Sequence, residues 1–191
     1  EYKHGKDAGD AENQDGLTQY LSNPEEAEKH LVRFKYSDKE DMFDLVSYQK
    51  GGRALHMLRN YVGDDAFFKS LNNYLTTNKF KNGEATQLRL AFEEVTGQDL
   101  NWYWNQWYFG NGHPVLTINY KYDDTRGKAI VTIEQTQTTG KIFKLPIAID
   151  IYTGAKKARH NVWAENRIDS FTFSYTKRPD LINVDADKIL K

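Results

Sequence analysis

The 191-residue sequence contains no cysteine, which excludes a disulfide framework and any thiolate metal site. It has no excess of charge either: 26 basic and 27 acidic residues leave a net charge of −1. A chain so balanced carries no overall field to draw nucleic acid or an anionic membrane surface, and neither is expected as a partner. Its apolar runs stay far below the roughly 18–20 residues that a membrane span requires. The first residue is Glu1 rather than methionine. That reads as a processed or trimmed parent, and it empties the absence of a leader of meaning.

Catalytic signatures are missing as well. The five histidines are followed by Gly5, Leu31, Met57, Pro114 and Asn161, so no His-Glu pair and no HExxH exists. No two histidines stand four apart, the spacing that puts both rings on one helical face for a metal. The chain is therefore expected to hold no metal or other cofactor of its own. Gly51-Gly52 lacks the further glycines and the lysine of a phosphate-binding loop, and no G-x-S-x-G elbow occurs.

What is present is the composition of a folded domain, with 39% hydrophobic, 28% charged and 14% aromatic residues. The pattern changes at Gly110-Asn111-Gly112-His113-Pro114. Apolar residues recur with helical spacing before it and alternate as in strands after it. Residues 1–112 hold 13 basic and 18 acidic side chains, net −5, and the remainder 13 and 9, net +4. This Gly/Pro-rich stretch is taken as the boundary between an all-helical lobe, 1–112, and a small antiparallel β-sandwich, 113–191. The expected class is α+β.

In the first part, Asp7 to Leu21 reads as a polar, weakly amphipathic helix that Ser22-Asn23-Pro24 interrupts. Gly52 to Val62 carries Leu55, Leu58 and Val62 on one face, with Gly63 as its stop. Asp64 is then expected to cap a helix whose buried stripe is Phe67, Phe68, Leu71, Tyr74 and Leu75. Thr86 to Val95 should bury Leu88, Ala91, Phe92 and Val95, with Glu93-Glu94 on the solvated face. Asp99 is read as the cap of a final aromatic helix through Trp102, Tyr103, Trp104, Trp107 and Tyr108.

The second part alternates through Leu116, Ile118 and Tyr120, then Ala129, Val131 and Ile133 after a turn at Asp123–Gly127. Ile147, Ile149 and Ile151 follow, then a turn at Gly154, a strand around Val162, a run through Phe171, Phe173 and Tyr175, and a last one at Ile182 and Val184. Roughly six or seven short strands with regular turns describe a sandwich.

One segment resembles a known family. Ser47-Tyr48-Gln49-Lys50-Gly51-Gly52, with Leu55-His56-Met57-Leu58-Arg59 and Val62-Gly63-Asp64, is similar to the tyrosine segment of the aminopeptidase N-type zinc peptidases, the gluzincin aminopeptidases. There a Tyr-Glu-Lys-Gly sequence opens a helix that ends near a Gly-Asp or Gly-Glu step; here Gln49 replaces the glutamate. The likeness continues through Phe67 to Leu75, Phe92-Glu93-Glu94-Val95-Thr96-Gly97, Leu100, Trp107 and Gly112-His113-Pro114. Glu1 to Asp7 resembles the stretch just after the helix that bears the family's third zinc ligand.

The resemblance implies that the helical lobe completes a thermolysin-like catalytic domain. It also implies that the two histidine ligands, the general-base glutamate and the Gly-x-Met-Glu-Asn motif precede Glu1. Zinc and a peptide substrate are thus expected for the full-length parent, together with the missing N-terminal and zinc-binding parts of the same protein. The chain alone is expected to be inactive. Tyr48 is the implied catalytic residue, its phenol donating to the oxyanion of the tetrahedral intermediate. The compartment stays open, an exported or periplasmic location being implied only by bacterial members.

Other readings stand beside this one. The chain could be a non-enzymatic helical and β-sandwich interaction module, complete in itself. A tyrosine at a helix start is ordinarily a packing residue, His56 reads as packing, and His113 belongs to the turn before Pro114. The tryptophan cluster admits carbohydrate stacking but fits core packing better. Lys156, Lys157 and Arg159 read as a basic guard on a strand edge.

Overall fold

A computed structural model describes residues 3–190. Glu1 and Tyr2, the start of the segment likened to the stretch after the third zinc ligand, lie outside them. The chain divides into two compact units, one up to Gly112 and one over His113–Leu190.

Among its described residues the first unit holds five α-helices: α1 Lys6–Leu21, α2 Gly51–Val62, α3 Asp64–Thr77, α4 Ala85–Thr96 and α5 Asn101–Trp107. Short 3-10 turns occupy Pro24–Glu28 and Lys39–Met42, and a π-helical turn, Val46–Lys50, runs directly into α2. Its core is aromatic. Trp104 stacks on Tyr108 with ring centroids 4.8 Å apart and nearly parallel planes. Phe92 joins this stack at 6.1 Å from Trp104, and Phe67 joins Phe92 at 5.5 Å. The polar tips of two of these rings are satisfied by backbone. Tyr103 Oη donates to the Ala54 carbonyl at 2.6 Å and Trp104 Nε1 to that of Ala85 at 2.8 Å. Those two bonds tie α5 to α2 and to the start of α4, so the aromatic helix is core rather than a stacking platform.

Three local expectations change. Asp64 does not cap α3. The cap position is Gly63, and the Asp64 carboxylate reaches back to Arg59, with Nε at 2.7 Å and Nη2 at 2.8 Å. Gly63 has φ 85° and ψ 158°, a region that side-chain-bearing residues scarcely enter, so the sharp α2–α3 corner requires glycine. The expected stripe of α3 is only partly buried. Phe67 is buried, but Phe68 is 55% and Leu75 66% exposed. The stripe is wider than the face that α2 and α4 cover. Lastly, Glu93 is not a solvated residue. It pairs with Arg89 and accepts the Leu100 N–H at 2.9 Å, holding the loop into α5. Asp99 does serve the start of α5, accepting the Asn101 N–H at 2.8 Å, although Leu100 occupies the cap position.

The second unit is two three-stranded antiparallel sheets. One has the order β1-β2-β5 and the other β4-β3-β6, with β1 Leu116–Asp123, β2 Lys128–Gln135, β3 Leu145–Thr153, β4 Lys156–Ala164, β5 Ile168–Ser174 and β6 Leu181–Val184. Period-two alternation sends Ala129, Val131 and Ile133 of β2 inward, together with Leu145, Ile147 and Ile149 of β3. β1 differs from the expectation at its middle, where Tyr120 is exposed. The expected basic guard on edge strand β4 is only partly that. Arg159 forms a two-pronged pair with the buried carboxylate of Asp150, both contacts at 2.7 Å, and also reaches Asp187. Lys157 comes within 3.5 Å of the same Asp150, while Lys156 lines an open cleft with His160 and Lys177.

Candidate functional site

Tyr48 sits in the middle of the π-helical turn Val46–Lys50. Such a turn, in which each amide reaches one residue further than in an α-helix, is rare and occurs frequently at functional sites. The turn is anchored on both flanks of the tyrosine. Val46 is fully buried, and Lys50 is buried with its Nζ donating to the Gly110 carbonyl at 3.3 Å. Between these anchors the Tyr48 side chain points out and is 60% exposed. Its ring has the Phe43 ring beside it at a centroid distance of 6.3 Å. Among the described residues its hydroxyl has no hydrogen-bond partner.

The base of the turn is polar and tightly held. Asp44 accepts the Ser47 N–H on Oδ1 at 2.8 Å, and its backbone carbonyl accepts the Tyr48 N–H at 3.1 Å. The other carboxylate oxygen pairs with Arg33 Nη1 and lies 3.4 Å from Lys29 Nζ. Burial works to raise the Asp44 carboxyl. The hydrogen bonds from Arg33 and Ser47 and the nearby guanidinium charge outweigh it and hold the group well below the usual carboxylate range. Lys29 also pairs with buried Glu26, whose Oε2 finds no partner among the described residues. Two buried phenols nearby, Tyr20 and Tyr108, have their titration pushed upward by burial, Tyr20 to about 12.

Gln49, at the position where the resemblance has glutamate, turns to α1. Its Nε2 donates to Gln19 Oε1 at 3.2 Å, and its amide lies over Gly16, where a Cβ would come within 2.3 Å of Gln49 Oε1. Arg53 adds a bond to the Asn13 carbonyl at 2.6 Å. Gln49 is thus occupied in packing α1 against the turn, and the neighbouring phenol is left to face outward.

Of the residues weighed in the sequence, His56 is half-buried on α2, with its carbonyl accepting Asn60 Nδ2 at 2.9 Å. It does not approach Tyr48 as an acid–base partner. Among the described residues no three His, Asp or Glu side chains come together to hold a metal ion. Sequence reasoning passed over Arg33 and Asp44. Asp44 followed three residues later by Ser47 has the spacing of a helix cap, a signal that could have found it. Arg33 comes from an irregular segment eleven residues away, and no periodicity marks it.

Comparison with known proteins places this site in context. The Peptidase family M1 domain matches residues 8–107. Probable aminopeptidase 1 of Sulfurisphaera tokodaii is 31% identical over 114 residues, 59% of this chain and 14% of that protein. Aminopeptidase M1-C of Oryza sativa subsp. japonica is 28% identical over 154 residues, 76% of this chain and 17% of that protein. Aminopeptidase N of Lactococcus lactis subsp. lactis is 30% identical over 109 residues, 56% of this chain and 13% of that protein. The chain therefore spans well under a fifth of the length of these relatives. The crystal structure of Legionella pneumophila aminopeptidase A in complex with aspartic acid shares the fold. Its TM-score is 0.68 at 15% identity, over 83% of this chain and 19% of that one.

Proposed function

Since the chain belongs to peptidase family M1, we propose that it is part of a zinc-dependent aminopeptidase and supplies Tyr48 as the oxyanion donor for cleavage of a substrate's first peptide bond. The observation that carries this reading is the contrast at the π-turn, an outward-facing phenol with no hydrogen-bond partner among the described residues, between two buried anchors. A phenol is a donor at neutral pH. Held on a fixed turn, it can meet negative charge as that charge builds on the carbonyl oxygen of a peptide. An interaction that strengthens only in the transition state lowers the barrier without tightening ground-state binding.

The donor set among the described residues does not fit a resident zinc ion. The zinc ligands, the general base and the group that grips the substrate's free amine are assigned to parts of the protein other than these 191 residues. The chain alone is accordingly proposed to hydrolyse no aminoacyl anilide and to hold no stoichiometric zinc.

The test is Tyr48→Phe in the full-length, zinc-loaded protein. Turnover should fall by about 10²–10³, the loss typical of one oxyanion donor, with zinc content and KM unchanged. Equal turnover in the two proteins would remove Tyr48 from the mechanism.

A further inference from the structure

We propose that Arg33 and Asp44 form a clamp that sets the position of the Tyr48 phenol, which makes Arg33 a positioning residue for the reaction proposed above; the inference rests on that reading. Because the Tyr48 ring is 60% exposed, its own burial does little to fix it. Its placement must come from the backbone that carries it, and that backbone is a π-turn, a geometry that side-chain packing or hydrogen bonding has to maintain.

The clamp supplies that restraint from two directions. Asp44 holds the turn from below by accepting two successive amides, Ser47 N–H on its carboxylate at 2.8 Å and Tyr48 N–H on its carbonyl at 3.1 Å. Arg33 closes it from the side. Nη1 binds the Asp44 carboxylate, and Nη2 donates to Ser47 Oγ at 3.1 Å. One planar guanidinium thus joins Asp44, two residues before the turn, to the residue adjoining Tyr48, a two-point contact that a lysine could not reproduce. Both side chains are only 12% exposed, so water competes little for these bonds. Arg33 is in turn anchored through its neighbour, since Val32 N–H donates to the Tyr108 carbonyl at 2.9 Å. The aromatic core around Trp104 and Tyr108 is linked to the phenol through this short chain of contacts.

A purely structural ion pair would need only the Arg33–Asp44 bond. The Ser47 contact is the part that bears on Tyr48, and it can be removed separately. Lys29, 3.4 Å from the Asp44 carboxylate, would keep that charge compensated in Arg33→Met and so favours a folded variant.

Two measurements test the clamp. In the 191-residue chain, Arg33→Met should speed hydrogen exchange at the Ser47 and Tyr48 amides by about tenfold relative to those deep in α2, such as Leu58, a local opening rather than a global one. Unchanged exchange at those two amides would overturn the proposal. In the full-length zinc-loaded protein, Arg33→Met should lower kcat by up to about 10²-fold, the scale of an ångström-level misplacement, with KM held. Combined with Tyr48→Phe it should add little further loss, because the clamp acts through the phenol; full additivity would overturn it. If Arg33→Met fails to fold, Ser47→Ala, which leaves the ion pair intact, carries the same comparisons. If Tyr48→Phe itself leaves turnover unchanged, the functional reading fails, and the exchange experiment still decides the clamp.

Discussion

The side chain of Gln135 pairs with Phe143 as though it were a strand. Its Oε1 accepts the Phe143 N–H at 2.8 Å, and its Nε2 donates to the Phe143 carbonyl at 2.7 Å. Both residues are fully buried, and residues 136–142 between them form no ladder of their own. The amide thus bonds both backbone groups of a residue in the core of the β unit, and Gln137 adds a bond to Gln135 Oε1 at 3.1 Å.

Gln135→Leu should therefore be among the most destabilising single changes in this unit. It removes the two bonds that Gln135 makes to the Phe143 backbone, and a buried backbone group that loses its bond costs ~1–3 kcal/mol. Chemical denaturation is expected to show a loss of roughly 2–4 kcal/mol on that basis. A change below about 0.5 kcal/mol, the range of an ordinary surface site, would show that the pairing is dispensable.

Gly63→Ala probes the corner between α2 and α3. Nothing lies within 4 Å of the position that a Cβ would take, so any effect comes from the backbone and not from a clash. The φ 85°, ψ 158° geometry belongs to a region open essentially to glycine alone, and occupying it with alanine should cost about 1–3 kcal/mol. Thermal unfolding of the variant measures this directly.

The acid limb of stability should depend on Asp150. Its pairing with Arg159 holds its carboxyl below the usual range, against the opposing effect of burial, with Lys157 contributing to the same lowering. A carboxylate depressed in the folded state contributes stability that is complete above its unfolded pKa of ~3.9. That contribution is lost as pH falls through the lower folded value. Asp150→Asn should consequently lower the melting temperature at neutral pH and flatten its decline below about pH 4. Parallel acid limbs in variant and wild type would count against the pair.

Tyr48 gives the opposite pairing of effects. Its hydroxyl bonds to no described residue and its ring is exposed, so Tyr48→Phe should shift the stability of the 191-residue chain by less than about 0.5 kcal/mol. A large stability loss together with an activity loss in the full-length protein would mark the residue as structural. An activity loss alone fits an oxyanion donor.

The α+β order, the helical spans to within a residue or two, and the inward residues of β2 with Ile147 and Ile149 of β3 were legible from periodicity, while Leu145 was missed and Ile151 is only half-buried. The reason is that apolar spacing is a local property, written in neighbouring positions. The tyrosine segment was legible only through its resemblance to a known family, not through periodicity. What periodicity could not rank was how much of a stripe gets covered, since Phe68 and Leu75 carry the same signal as Phe67 and yet face outward.

The amino-acid sequence by itself determined the class of elements, the absence of an HExxH and the identity of the candidate phenol. Only the tertiary structure decided that this phenol projects from a π-turn, that Arg33 reaches Asp44 and Ser47 across an irregular stretch, that Glu93 caps a loop, and that Gln135 stands in for a strand. Polar contacts of this kind depend on where the chain closes on itself. A guanidinium or an amide has no periodic signature, and its partner is chosen by burial and geometry that exist only once the core has formed.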